Sequence, residues 1–236
     1  MGRIWAICSG TGGVGKTTLS LSLAAYAAKQ GKSVILLDAA GTSRACDLAL
    51  GLQNVVTLDV QEVLTGQVDI KSALYPVQKY GSLYLACTSL YDSDNLNELS
   101  GVLLALQSIC DLLVIDLPTA CVMDSLDIMS QQDSRIFVVR PDDASVRATD
   151  QLLQRVRVFD TDRYLVVNRT KKDLIKRGIQ YTADAVAMTL DCPVIGTIFE
   201  DERFTLWGTK DKIAFDSDAG IRRAVRDVAN VLFERL

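Results

Sequence analysis

A chain of 236 residues is long enough to bury a sizeable core in one domain, and with 49% apolar residues it is expected to fold rather than stay disordered. A formal net charge of -4 and a pI near 4.9 give no general attraction to DNA or to anionic lipid. The absence of histidine excludes every His-based triad, every H-E-x-x-H metal site and every phosphohistidine route, leaving lysine, carboxylates, hydroxyls, metal and backbone for any chemistry.

In chain order, residues 3–8 read as a short, mostly apolar strand. Leu19, Leu21, Leu23, Ala24 and Ala27 then mark a largely buried helix. Between them stand Gly10, Thr11, Gly12, Gly13, Val14, Gly15, Lys16, Thr17 and Thr18, which fill every fixed position of the phosphate-loop pattern G-x-x-x-x-G-K-[ST] in its required strand, loop, helix setting. Glycines allow successive N–H groups to turn inward toward phosphate oxygens, and the positive end of the following helix adds to the attraction. Lys16 is expected to reach the terminal phosphates as a point charge, and the Thr17 hydroxyl to ligate the magnesium that travels with them.

Gly31 stops the first helix, and residues 33–38 read as a fully buried strand ending in Asp38. Ligands of open parallel sheets bind beyond the carboxyl ends of the strands, so Asp38 is expected on the same edge as the loop, as a magnesium partner. Residues 39–53, with Gly41, Thr42 and Ser43, read as irregular, followed by short helical patches at 60–64 and 70–74, a strand at 83–86 and a helix at 97–109. A second buried strand at 112–116 ends in Asp116 and has the look of a Walker B strand. Further strands at 136–139, 164–167 and 194–196 alternate with helices at 146–156 and 181–190, and a last helix at 219–236 sets Ile221, Val225, Val228 and Leu232 opposite Arg222, Arg223 and Arg226. The alternation predicts a single α/β domain over 1–236: three layers, doubly wound, with a mostly parallel sheet covered by helices on both faces.

Six cysteines at positions 8, 46, 87, 110, 121 and 192 show no C-x-x-C and no metal-ligand spacing, and are expected as core thiols of a reduced, cytoplasmic protein. The most apolar region, residues 99–115, is broken by Ser100, Gln107, Ser108 and Asp111, so no membrane span is expected. The first strand runs straight into the loop, which argues against a signal peptide, and Ala6 argues against myristoylation. Arg169, Lys171, Lys172, Lys176 and Arg177 form a basic run, read as a solvated face in preference to a charge-based docking patch.

With the loop, the strand-end carboxylates and the alternation in hand, the chain resembles the MinD/ParA group of P-loop ATPases, and the MinD branch in particular. The likeness runs from Ser9 through Thr18 and from Asp38 to Gly51, and includes Asp116-Leu117-Pro118, Ala144-Ser145-Val146-Arg147 and Val167-Asn168-Arg169. It continues with Pro193-Val194-Ile195-Gly196 and Asp218-Ala219-Gly220. The resemblance implies binding of ATP/ADP and Mg2+, a face-to-face homodimer around two nucleotides on ATP binding, and protein partners in a localisation system. It also implies that the loop holds the phosphates, that Asp38 and Asp116 contact magnesium through water, and that Asn168, with Arg169 beside it, reads the adenine ring.

Three positions depart from the group's pattern. Thr11 stands where the resemblance implies a signature lysine reaching the partner's nucleotide, Ala40 where it implies a water-positioning aspartate, and Thr119-Ala120 where it implies a switch glycine. Loss of a trans-acting cation in related loops costs about 10³ to 10⁵ in rate, whereas the binding cradle is untouched, so weak or partner-dependent hydrolysis is expected. The group's basic amphipathic membrane tail is not matched at Phe233, Glu234, Arg235 and Leu236, so no intrinsic membrane anchor is expected. Two readings stand together: a switch ATPase, and a catalytically depleted scaffold that keeps ATP as a structural ligand. A metal-cluster carrier would need paired cysteines, and only Cys121 stands near the second switch.

Overall fold

The computed structural model describes residues 1–40, 44–88, 96–120, 133–156, 162–201, 213–216 and 219–234. Gly41, Thr42, Ser43, Cys121, Asp218, Arg235 and Leu236, which figure in the sequence reading, lie outside the described residues.

Strand β1 (Arg3–Cys8) feeds through the glycine-rich loop into α1 (Lys16–Lys29), and β2 (Val34–Asp38) follows. Next come α2 (Ala45–Ala49), α3 (Val60–Leu64), β3 (Tyr75–Pro76), β4 (Leu83–Cys87), α4 (Leu96–Ser108) and β5 (Leu112–Asp116). The second half comprises β6 (Ser134–Val139), α5 (Asp143–Val156), β7 (Asp162–Thr170), α6 (Lys172–Lys176), α7 (Ala183–Leu190), β8 (Val194–Phe199) and α8 (Ala219–Glu234). The eight strands form one sheet in the order β3-β4-β2-β5-β1-β6-β7-β8, parallel throughout except for the short β3, which runs antiparallel to β4. This is the expected mostly parallel α/β sheet with helices.

Because successive strand side chains point to opposite faces, each central strand feeds two cores. Trp5 and Ile7 of β1 join Leu36 of β2, Val114 of β5, the inner face of α1 and Val225 and Val228 of α8. Ile4, Ala6 and Cys8 join Leu37, Ile115, Leu103 of α4 and Leu152 of α5 on the other face. Buried on nearly every side, α1 lacks the polar stripe of a surface helix, and from Leu19 to Ala28 its only polar residues are the small Ser20 and Ser22, both buried, and Tyr26. It ends at Gly31, whose φ of 84° is a left-handed conformation open to glycine.

The register aligns the chemistry. Asp38 pairs with Asp116 across β2 and β5, and Ile7 pairs with Asp116 across β1 and β5. Both carboxylates therefore leave the sheet at the edge where β1 turns into the loop. Strand order reverses on either side of β1, with β5 to one side and β6 to the other, and that crevice is where doubly wound sheets take ligands.

Two local expectations change. The stretch read as irregular after Asp38 contains α2, too short to declare a helical period; Arg44 pairs with Asp47 at 2.9 Å beside it. Residues 70–73 form a tight 3-10 turn, capped by Asp69, which donates no period either. The basic run contains α6, and Arg169, Lys172, Lys176 and Arg177 are exposed, as a solvated face requires, while Lys171 Nζ lies 3.3 Å from Glu200 Oε2.

Candidate functional site

Two loop glycines are required by their backbone. Gly13 and Gly15 have φ of 68° and 93°, and at Gly15 a Cβ would also overlap the Asn168 side chain. Gly15 is the residue from which α1 starts, so the loop delivers its N–H groups to the positive end of that helix. Gly10 packs against the backbone of Ala148 in α5, where a Cβ would not fit. Gly12 is exposed at the tip.

Lys16, Thr17 and Asp116 meet. Asp116 is fully buried, and Lys16 Nζ lies 3.0 Å from its Oδ1. Thr17 donates its hydroxyl to Oδ2 at 2.6 Å, and Ser20 Oγ sits 3.0 Å from Oδ1. The carboxylate is thus held by one ammonium and two hydroxyls from a single turn of α1. Ser20 was missed by sequence reasoning; its one signal is a small polar residue four positions after Lys16, on the same face of an otherwise apolar helix.

Asp38 accepts from the backbone N–H groups of Ala40 at 3.1 Å and Cys46 at 3.0 Å. Burial, with the Asp116 charge adding to it, holds its carboxyl above the usual carboxylate range. The Cys46 thiol lies in the same cluster, its sulfur 4.0 Å from Asp116 Oδ2, and burial followed by the two carboxylates pushes it well above the usual thiol range, so it stays neutral. Hydroxyl and carboxylate oxygens of Thr17, Asp38 and Asp116 form the hard donor set that Mg2+ takes, which fits the expected metal. Nothing in the sequence around Cys46 pointed to its place beside them.

Two cavities adjoin the loop. The first, about 320 Å³, is lined by Ser9, residues 13–18, Ala40, Thr119 and Arg169. The second, about 170 Å³, shares Gly15, Thr18 and Arg169 with it and continues over an apolar floor of Leu19, Ile198, Ile221 and Val225. Asn168, Phe199, Glu200 and Asp201 form its rim. A polar basin walled by Lys16 and N–H groups, opening onto an apolar slot, is the arrangement that a phosphorylated planar ring fills. Asn168 donates to Val14 O at 2.7 Å and accepts from the Arg169 N–H, so it ties the loop to the slot. Arg169 has a φ of 57°, an uncommon left-handed conformation for a side-chain-bearing residue.

The departures have structural partners of their own. Thr11 donates to Ser145 Oγ at 3.3 Å, and that buried hydroxyl in turn accepts from the Arg140 N–H, so the loop's second residue is tied into α5 of its own chain. Ala40 lines the phosphate basin with a methyl group. Ala120 keeps a left-handed φ of 61° and donates its N–H to Ser9 O at 2.8 Å. Five described cysteines are free thiols, four of them buried. Among the described residues, no helix is long and apolar enough to cross a membrane.

The chain matches the CobQ/CobB/MinD/ParA nucleotide binding domain over residues 5–213. It is 32% identical to an uncharacterized ATP-binding protein of Methanocaldococcus jannaschii over 231 residues, which covers 95% of this chain and 85% of that protein. Its identity to the septum site-determining protein MinD of Bacillus subtilis is 29% over 209 residues, covering 86% and 78% of the two chains. In three dimensions it superposes on a chain of the MinC:MinD cell division protein complex of Aquifex aeolicus with a TM-score of 0.86 and 25% identity, over 98% and 96% of the chains. The chain belongs to the CobQ/CobB/MinD/ParA family of P-loop nucleotide-binding proteins.

Proposed function

We propose that this protein binds Mg-ATP and acts as a positional switch of the MinD/ParA type, with weak or partner-dependent hydrolysis. The observation that carries the reading is the convergence of Lys16, Thr17, Asp38 and Asp116 on a polar basin that opens onto an apolar slot. Lys16 binds the terminal phosphates after exchanging its carboxylate partner for them. Loop N–H groups from Gly12 to Thr18 hold the remaining phosphate oxygens, and the rim at Asn168 and Arg169 orients the base. Thr17, Asp38 and Asp116 hold Mg2+, which supplies charge neutralisation of the phosphates when bound. Nucleotide-dependent homodimerisation and docking of protein partners of a localisation system in the cytoplasm complete the switch.

Specific observations favour the scaffold as a second reading. Thr11 is hydrogen-bonded within its own chain and carries no charge to donate across a dimer, and Ala40 offers no carboxylate to orient an attacking water. The two readings separate in one set of measurements: Mg2+-dependent ATP binding, ATP turnover, and size-exclusion behaviour with and without ATP. Binding with turnover and ATP-driven dimerisation supports the switch, and binding without turnover supports the scaffold. If Lys16→Ala binds ATP as well as the wild type, the phosphate-site assignment itself is wrong.

A further inference from the structure

Cys46 is the member of the carboxylate cluster that the Mg2+ assignment leaves unused, because Mg2+ takes oxygen ligands and gains nothing from a thiol. Its sulfur, an oxygen of Asp38 and an oxygen of Asp116 all lie within 4.8 Å of one another, and all three residues are buried. The three come from separate segments: Asp38 closes β2, Asp116 closes β5 beside it in register, and Cys46 is carried on α2. Thiol and carboxylate are also tied through the backbone, since the Cys46 N–H donates to Asp38 Oδ2 at 3.0 Å.

Each carboxylate is oriented by groups around it. The Ala40 N–H donates to Asp38 Oδ1 at 3.1 Å, while Lys16 Nζ and Ser20 Oγ each lie 3.0 Å from Asp116 Oδ1. The other Asp116 oxygen, Oδ2, is the one 4.0 Å from Cys46 Sγ. Outer hydrogen bonds of this kind hold metal ligands in place. Thr17 and Ala40, which bond to Asp116 and Asp38, both line the polar basin, so the cluster stands one residue behind an open wall and a cation has a way in. Charge also balances: two carboxylates and a thiolate exceed a divalent cation by one negative charge, and the Lys16 ammonium beside Asp116 offsets it.

We propose that Asp38, Cys46 and Asp116 form a binding site for a thiophilic divalent cation of the Zn2+ class in the nucleotide-free chain, with Cys46 as the ligand that sets its preference over Mg2+. A coordinating thiol gives up its proton to solvent as the sulfur bonds the metal, and no electron changes hands. Mixed sulfur and oxygen donors suit Zn2+, whose usual shell of four keeps a position for water from the basin. The site goes beyond the Mg-ATP reading and needs no nucleotide, although Mg-ATP competes for the same two carboxylates.

The test is equilibrium binding of Zn2+ and Co2+, without nucleotide and with a phosphine reductant, to the full chain as wild type, Cys46→Ser, Cys46→Ala, Asp38→Asn and Cys87→Ser, with thermal unfolding in metal-free buffer as the folding control. Co2+ is expected to give the wild type a thiolate-to-metal charge-transfer band. Both Cys46 variants lose the band and bind Zn2+ at least about tenfold more weakly, and Asp38→Asn weakens Zn2+ while keeping the band. Cys87→Ser removes the buried thiol that pairs with Asp38 in register but lies outside the three-residue cluster, so it keeps both band and affinity. No band in the wild type, a band that survives in both Cys46 variants or disappears in Cys87→Ser, an unchanged Zn2+ affinity in Asp38→Asn, or Zn2+ binding no tighter than Mg2+ overturns the proposal. All of these are read without ATP, so a failure of the Mg-ATP reading leaves them standing.

Discussion

Lys16→Met, Asp116→Asn and their combination test the central claim that the free chain holds its phosphate-binding lysine in a buried ion pair. The charges are 3.0 Å apart, and the side chains are 8% and 0% exposed. At an effective dielectric of about 20 the direct attraction is about 5 kcal/mol, and most of it is offset by desolvating both ions. Removing one partner is another matter, because it strands the other. Such loss costs about 3 to 5 kcal/mol, and the hydroxyls of Thr17 and Ser20, which remain on Asp116, bring the expectation for Lys16→Met to the lower end. For a chain of this length, about 3 kcal/mol corresponds to a fall in Tm of roughly 6 to 12 °C. Asp116→Asn strands Lys16 in turn, and the double variant, with neither charge, should lose well under the sum of the two single losses. Urea and thermal unfolding in nucleotide-free and metal-free buffer give the cycle, with an expected coupling of about 2 kcal/mol. Additivity within about 0.5 kcal/mol refutes the reasoning, for then the pair contributes nothing to the free fold and ATP has no carboxylate to displace from Lys16.

Other outcomes follow from the same geometry. Ala120→Gly removes the strain of a left-handed alanine and should raise stability by about 1 kcal/mol in urea unfolding; a loss would show that the turn needs the methyl group. Gly15→Ala meets both a φ of 93° and the Asn168 side chain, so it should lower Tm and abolish ATP binding together, as read by calorimetry. Asp38 has a raised folded pKa, and a raised carboxylate contributes stability below its unfolded value that is lost as pH rises through the folded one. The unfolding free energy of the wild type minus that of Asp38→Asn should therefore fall as pH rises above about 4 in metal-free buffer, and a rise would contradict the assigned burial. Thr11→Lys combined with Ala40→Asp should raise ATP turnover by about 10³ if those two positions alone limit hydrolysis, measured as phosphate release; an unchanged rate places the limit elsewhere.

The central strands and the loop were legible because each carries its own signal. Residues 3–8, 33–38 and 112–116 are continuous apolar runs that only a strand covered on both faces accommodates, and two of them end in the carboxylate that the sheet edge exposes. What could not be read arises where distant segments meet. Cys46 enters the carboxylate cluster through a five-residue helix with no period, and Phe199 meets Lys172 through the pairing of β7 with β8. The basic run is exposed at Arg169, Lys172, Lys176 and Arg177, as a solvated face requires, and what charge in a sequence does not reveal is that Lys171 and Lys172 meet Glu200 and the Phe199 ring of the next strand.

This difference between local and tertiary signals also bears on how the retained residues weigh in choosing between switch and scaffold. Lys16, Thr17 and Ser20 satisfy a carboxylate that is fully buried and would otherwise be stranded, so the fold itself penalises their loss, whatever the turnover rate. Their presence speaks for a phosphate site and for stability, and it is neutral on hydrolysis. Thr11 and Ala40 lie outside that network: one makes a single 3.3 Å hydroxyl contact and the other presents a methyl group to the basin. No comparable stability cost holds either side chain in place, so the chemistry these two positions can offer decides between the readings, and the Thr11→Lys, Ala40→Asp variant is the measurement that separates a silenced switch from a scaffold.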